Sequence, residues 1–314
     1  MLDARQLEAL AAVLEQGGFG PAAQALNVTL AAVSLRIKAL EAALGQRLLV
    51  RGKTVRATPV GQALLAHVKQ LRLMEADLVN GMQGGKEPGK PAPWHSLSVA
   101  VNADSLSSWF LPGVAAMLVQ HRLLLDVVID DQDHTHEALK NGDVVGCVST
   151  RQQPMRACLA EPLGVMRYRC VAAPKLAKRC HTPKGVLSVH RLLDTPAVIF
   201  NRKDGLQDAF LQQHFALQTP QYPRHFVPSV DGFESALTHG LGWGLVSDLH
   251  LATRTGPAPL VEILPGSAVD IALYWHHWER EPLSAQRLTR AVKQAGRQSL
   301  AALALPPAIG QRRG

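Results

Sequence analysis

Between residues 21 and 41 the chain reads PAAQALNVTLAAVSLRIKALE, and few folds accommodate such a stretch. A short helix is expected over residues 21–26, because Pro21 can occupy a first turn where its missing N–H is no loss. Asn27 supplies a polar turn, and Thr29 stands in position to cap a second helix. In that helix Val33, Ile37, Leu40 and Leu44 recur every three or four residues, so they share one stripe that must be buried. Ser34, Arg36 and Lys38 lie outside the stripe, as a phosphate-facing surface requires. Two short helices meeting at a tight turn form the DNA-binding helix-turn-helix pattern, whose second helix enters the major groove. An ordinary helical hairpin with a solvated basic face satisfies the same spacing.

The residues after Leu44 separate the two readings. Gly45 is a helix stop, and QRLLVRGKTVRATP beyond it reads as two short strands around a glycine turn, a wing carrying Arg51, Lys53 and Arg56. From residue 30 to 56 there are six Lys or Arg (Arg36, Lys38, Arg47, Arg51, Lys53 and Arg56) against one acid, Glu41. Such a local excess is the footprint of contact with phosphates.

The segment GGFGPAAQALNVTLAAVSLRIKALEAALGQRLLVR resembles the winged helix-turn-helix of LysR-type transcriptional regulators. LSVAVNADSLSSWFLP, HEALKNGDVVGCVS and LYWH, further on, resemble more narrowly the ArgP/LysG branch, whose members sense basic amino acids and control their export. The resemblance implies a DNA-binding regulator, not an enzyme, with double-stranded DNA, a basic amino-acid effector and RNA polymerase as partners. It further implies a homodimer or tetramer, with neither cofactor nor metal. Carried onto this sequence, the DNA-binding residues are Thr29, Leu30, Ser34, Leu35, Arg36, Lys38, Arg51, Lys53 and Arg56. Two departures stand out. Leu30 and Ala31 occupy positions where the family usually has Gln-Pro, and Leu35 stands where Gln or Arg is usual. Leucine offers a base edge only apolar contact, for instance with a thymine methyl.

Around this motif, a first helix over residues 3–15 places Leu7, Leu10 and Leu14 on one side, ended by Gly17 and Gly18, with Phe19 plugging the corner. Thr58 and Pro59 open another helix, expected to reach about residue 80. Its Leu64, Leu71 and Leu78 recur every seven residues, with Val60, Val68 and Met74 filling the seam, which suits pairing with a second copy. Packing on its own domain is the alternative. GMQGGKEPGKPAP, residues 81–93, reads as a hinge. The expected division is residues 1–58 for DNA binding, 59–93 as dimerising linker and 94–314 for the effector.

Beyond the hinge, apolar strands alternate with helices: LSVAV, LLLDVVI and VVGCVS, then RYRCVAA, AVIF, RHFV and GLVS, then IALYW returning to the first set and a last helix over residues 284–303. This alternation predicts βαβ units, a largely parallel sheet and an α/β fold of two lobes around a cleft, as in periplasmic binding proteins. With 47% hydrophobic and 18% charged residues, the 314-residue chain can bury such cores. Its net charge of +8 is only mildly concentrated near the start, where residues 1–58 hold seven Lys or Arg and four acids. No charged leader precedes an apolar core and no run of 18 apolar residues occurs, so a cytoplasmic protein without membrane contact is expected.

Ligands of open α/β sheets bind beyond the carboxyl ends of strands. Asn102, Asp104, Ser105 and Ser107 come after the first strand and can hold a carboxylate, while Asp130, Asp131 and Asp133 come after the second and can neutralise a cation. Ser149 and Thr150 end the third strand, and Phe233 and Trp243 are candidates for an apolar wall. Together they describe a pocket for an amino acid with a basic side chain; a helix cap beside a solvated loop is the alternative. Asp131, Asp133, His134 and His136 lack a metal-site spacing, and His276 and His277 would face opposite sides of a strand. Cys147, Cys158, Cys170 and Cys180 form no CxxC pair and are expected as reduced thiols, with a Cys170–Cys180 redox pair as the alternative. No phosphate loop, GxSxG or HExxH points to an enzyme. A small-molecule-binding α/β protein or enzyme whose first helices only mediate assembly remains the competing function.

Overall fold

The computed structural model describes residues 2–50, 52, 54–83, 94–129, 132–254 and 259–303, without the side chains of 80–83 and 132–134. Three helices open it, α1 (Ala4–Glu15), α2 (Phe19–Ala25) and α3 (Leu30–Leu44). Each boundary has a local cause. Asp3 caps α1 by accepting the Gln6 N–H at 3.0 Å, and Asn27 turns the chain after α2 with φ of 52°. Thr29 caps α3 by accepting the Ala32 N–H at 3.2 Å, and Gly45 ends it with φ of 66°, a left-handed conformation that glycine adopts without steric cost. The wing is the antiparallel pair β1 (Leu49–Val50) and β2 (Arg56–Ala57).

The long helix α4 (Pro59–Gln83) starts on Thr58, whose hydroxyl accepts the Gly61 N–H, and runs three residues into the expected hinge. Residues 84–93 of that hinge lie outside the described part. Leu65 and Val68 of α4 are buried with Leu7, Leu10, Val33, Ile37, Leu40 and Leu48, so the N-terminal core is completed by the helix that leads away from it. Removing one such side chain, as in Ile37→Ala, costs about 2–5 kcal/mol. The seven-residue seam is therefore split: Leu64 and Leu71 pack half-buried on their own domain, whereas Leu78, 63% exposed, and Met74 face outward.

The remainder begins with β3 (His95–Ala100), α5 (Ala103–Ser105), a short π-helix at Leu106–Phe110 and α6 (Leu111–Gln120). Next come β4 (Leu123–Val128), α7 (Gln132–Lys140), β5 (Gly146–Ser149) and β6 (Cys158–Ala172). The second lobe holds α8 (Pro174–Cys180), α9 (Val189–Asp194), β7 (Ala197–Ile199), α10 (Leu206–Phe215) and β8 (Arg224–Phe226). It continues with α11 (Val230–Thr238), β9 (Gly244–Ser247), α12 (Asp248–Thr253) and β10 (Val261–Glu262). β11 (Val269–Trp278) returns to the first lobe and α13 (Leu283–Ser299) packs against it.

The main sheet is mixed, which corrects the expectation of a largely parallel one. β3 pairs in parallel with β4 and β5, but β11 runs antiparallel to both β5 and β6, and β9 and β10 are antiparallel to β6. The reason is that the expected strand RYRCVAA is the second half of a 15-residue strand: β6 runs from the first lobe into the second, and β11 returns beside it in the opposite direction. β6 bends at Gly164, with φ of 147°, where an added Cβ would lie 2.5 Å from that of Leu300. A core containing Phe110, Trp275, Leu288, Phe210 and Trp243 extends through both lobes.

The effector lobes are tied to α4. Lys69 pairs with Asp143 at 2.6 Å in the turn after α7, Asp77 accepts both the backbone N–H (2.9 Å) and the hydroxyl (3.1 Å) of Ser284 at the start of α13, and Leu73 packs against the large core. Among the described residues no helix is long and apolar enough to cross a membrane.

Candidate functional site

Two surfaces match what the chemistry requires. The first is formed by α3 and the wing. Lys38 and Arg56 are exposed and Arg36 is half-buried, and none of the three forms an ion pair among the described residues. The one acid of this region is withdrawn from the surface, since the Glu41 carboxylate accepts the N–H groups of Leu48 at 2.8 Å and Leu49 at 3.4 Å and so braces the wing. What remains outward is uncompensated positive charge beside a helix start, the arrangement that attracts phosphates. Thr29 is exposed but its hydroxyl is engaged as the cap, Ser34 is half-buried, and Leu30 and Leu35 are 56% and 69% exposed. Arg51 and Lys53 lie outside the described residues.

The second surface is a narrow cleft between the lobes, partly open to solvent. From the first lobe comes Asp104, positioned by α5 just beyond the end of β3. Its Oδ2 accepts the Tyr168 hydroxyl at 2.7 Å, and its Oδ1 lies 3.8 Å from His250 Nδ1. Burial, reinforced by the Asp104 charge, pushes the Tyr168 phenol well above its ordinary range, so it stays a proton donor. His250, on α12 of the second lobe, shares hydrogen bonds with Ser107 (2.9 Å) and Ser247 (3.0 Å), which links the lobes across the cleft mouth.

From the second lobe comes Asp204, in the turn after β7. Its carboxylate accepts the N–H groups of Phe200 at 3.2 Å and Leu206 at 3.0 Å. Burial raises its pKa above 3.8, the backbone bonds oppose the shift, and the charges of Asp104 and Asp208 add to it. Two carboxylates lining one apolar cleft, one of them short of compensation, are chemically suited to attract a cation. Glu234 also lines the cleft but is engaged by Arg254. Phe233, Leu245 and Val246 supply the apolar wall.

The expected residues divide accordingly. Asp104 and Phe233 line the cleft. Asn102 and Ser149 stand at the carboxyl ends of the neighbouring strands β3 and β5, with Ser105 and Thr150 beside them. Ser105 is fully buried and, among the described residues, its hydroxyl has no hydrogen-bond partner, as is true of Asn102 Oδ1, whereas the Ser149 hydroxyl accepts the Arg151 N–H. Trp243 is corrected: at 0% exposure, with its indole N–H donated to the Thr195 carbonyl at 3.1 Å and its ring against Phe210 and Tyr222, it belongs to the core of the second lobe. Asp130 and Asp131 lie outside the described residues, as do the side chains of Asp133 and His134. Among the described residues no group of His, Cys, Asp and Glu is arranged to hold a metal. Cys147, Cys170 and Cys180 are buried free thiols; burial pushes Cys147 up to about 12 and raises the other two, which disfavours the thiolate that redox exchange needs.

Sequence reasoning missed Asp204, His250 and Tyr168. A signal for Asp204 was present: NRKDG comes directly after the strand AVIF, and the strand-end rule applied to the first lobe would have selected it in the second.

Residues 4–62 match the family model of the bacterial regulatory helix-turn-helix protein, lysR family, and residues 95–297 match the LysR substrate binding domain. The HTH-type transcriptional regulator ArgP of Pseudomonas aeruginosa is 41% identical over 278 residues, 88% of this chain and 90% of that protein. Among solved structures, ArgP from Mycobacterium tuberculosis aligns with a TM-score of 0.85 at 36% identity, covering 96% of this chain and 100% of that one. Full-length LysG from Corynebacterium glutamicum with bound effector Arg aligns with a TM-score of 0.80 at 30% identity, covering 95% and 99%.

Proposed function

The chain belongs to the LysR family of transcriptional regulators and is similar to ArgP and LysG, and on that premise we propose that its cleft binds lysine or arginine and that an amino-acid exporter gene is among its targets. The observation that carries the reading is Asp204: a half-buried carboxylate with a raised pKa, facing Asp104 over an apolar wall, gains most from a ligand that brings a positive charge. The α-carboxylate is held on the first lobe near Ser105 and Ser149. The arginine carried by the similar LysG protein agrees in charge with this assignment.

Residues 1–58 serve as the DNA-binding unit, 59–93 as the linker and 94–314 as the effector-binding unit. The exposed end of α4, with Met74 and Leu78, pairs two copies into a dimer that can assemble further into a tetramer and engage RNA polymerase at a promoter. An effector touching both lobes favours one lobe arrangement over another, and only such a difference can shift a conformational equilibrium. The shift reaches α4 through the turn after α7, where Asp143 holds Lys69.

Calorimetry tests the effector assignment. Lysine or arginine is expected to bind at least about tenfold tighter than leucine or glutamine, a difference of about 1.4 kcal/mol. Binding of an acidic or aromatic metabolite with no response to either basic amino acid at millimolar concentration would overturn it. Mobility shifts with DNA upstream of the protein's own gene and of any neighbouring exporter gene, with and without arginine, test the target.

A further inference from the structure

Helix α3 makes an unusual reader of DNA, because of what its outward face lacks. The buried stripe is Val33, Ile37 and Leu40, which fixes the rotation of the helix on its domain. The face turned away over the first two turns is then Leu30, Ala31, Ser34 and Leu35, with Lys38 one turn further on. Side chains that discriminate bases by paired hydrogen bonds are Arg, Lys, Asn, Gln, Asp and Glu, and none of these occurs on α3 before Arg36. Thr29 carries a hydroxyl, but it is engaged by the Ala32 N–H as the cap. Ser34 is half-buried and, being both donor and acceptor, distinguishes bases poorly. The most exposed side chains are hydrocarbon, Leu35 at 69% and Leu30 at 56%, on a surface that lies in water when DNA is absent.

An exposed leucine on a helix that enters the major groove has one base-specific partner there, the C5-methyl group of thymine; the other base edges present only polar groups and ring C–H. We propose that Leu30 and Leu35 read thymine methyl groups, and that this apolar contact is the main source of base discrimination by α3, while Arg36, Lys38 and Arg56 contribute affinity through phosphates without sequence preference. Each half-site therefore contains thymine opposite the first two turns of the helix, and replacing a contacted thymine by a base without the methyl weakens binding even where every hydrogen-bonding group is kept.

The inference rests on DNA binding by α3 and the wing, and a single experiment separates its failure from failure of that reading. Duplexes are selected from a random-sequence library with the full-length protein, and the recovered half-sites are resynthesised with deoxyuridine in place of thymidine, a change that deletes only the methyl. Each contacted thymine is expected to lose about fourfold in affinity, corresponding to about 0.8 kcal/mol for one buried carbon. In the doubly substituted protein Leu30→Ala, Leu35→Ala the deoxyuridine penalty is expected to vanish, while the slope of log K against log salt stays that of the unsubstituted protein, because no phosphate contact is removed. Recovered half-sites without thymine, deoxyuridine duplexes that bind as tightly as the originals, or a penalty that persists in the double variant would each overturn the proposal. Recovery of no duplex at all overturns it together with the assignment of α3 as a DNA-binding helix.

Discussion

Replacing Asp204 by Asn removes a charge from the cleft while keeping the shape of the side chain. In the unsubstituted protein the carboxylate accepts two backbone N–H groups, from Phe200 and Leu206, and one amide oxygen can replace only one of these. The loss, about 1 kcal/mol, is offset because a partly desolvated charge disappears with it, so the variant should fold. Ligand binding changes far more. A hydrogen bond to a charged group contributes about 1.5–3 kcal/mol, so arginine should bind the variant roughly 10- to 150-fold more weakly. Citrulline, the neutral isostere of arginine, should bind both proteins alike. Calorimetry with both ligands on both proteins closes the cycle. Equal weakening of arginine and citrulline would place Asp204 at the α-ammonium group and refute the claim that it reads the side chain; no change for either would remove it from the site. pH supplies a second check. Because the pKa of Asp204 is raised above 3.8, a cationic ligand must displace a proton from it in acid, so arginine affinity should fall with decreasing pH earlier than an ordinary carboxylate would allow, and this fall should be absent in Asp204→Asn.

Arg36→Ala and Arg56→Ala should each weaken operator binding and reduce the slope of log K against log salt by about 1, read by fluorescence anisotropy across a salt series; an unaltered slope would take that residue off the phosphates. Leu78→Glu should abolish the dimer in sedimentation while leaving the monomer folded, since Leu78 is exposed in the single chain, whereas Leu71→Glu should also destabilise the N-terminal core on which Leu71 packs. His277 is buried, which opposes its charge, but Glu281 at 3.2 Å and Glu161 at 3.4 Å outweigh burial and raise its pKa above 6.5. The stabilisation from protonated His277 is therefore complete below pH 6.5 and lost as pH rises through the folded-state value, at about 1.4 kcal/mol for each tenfold gain in proton affinity. Urea denaturation at pH 6 and pH 9 should show that loss, and His277→Gln should flatten it.

The helices of the N-terminal domain were legible in outline because their signals are local, although α2 begins at Phe19, two residues before the expected start at Pro21. A cap such as Thr29, a left-handed stop such as Gly45 and a stripe such as Val33, Ile37 and Leu40 are decided by neighbours three or four residues away, and the chain carries them whatever it later packs against. The order of strands and helices in the lobes was readable for the same reason. The sequence also held the departure at Leu30 and Leu35, although only their exposure turned a departure into a mode of readout. What required the tertiary structure was every fact set by long-range pairing. Asp104 and Asp204 are a hundred positions apart and meet because the lobes close on one another; Trp243 was available as a pocket wall until the bridge from Ala197 and the Thr195 carbonyl drew it into the core. The seam on α4 looked continuous because a seven-residue repeat specifies a buried face without specifying what buries it, and the fold gave Leu71 to its own domain and left Leu78 to solvent. Periodicity states that a side chain must leave water; which surface receives it is decided by contacts between distant parts of the chain, and these leave no local signature.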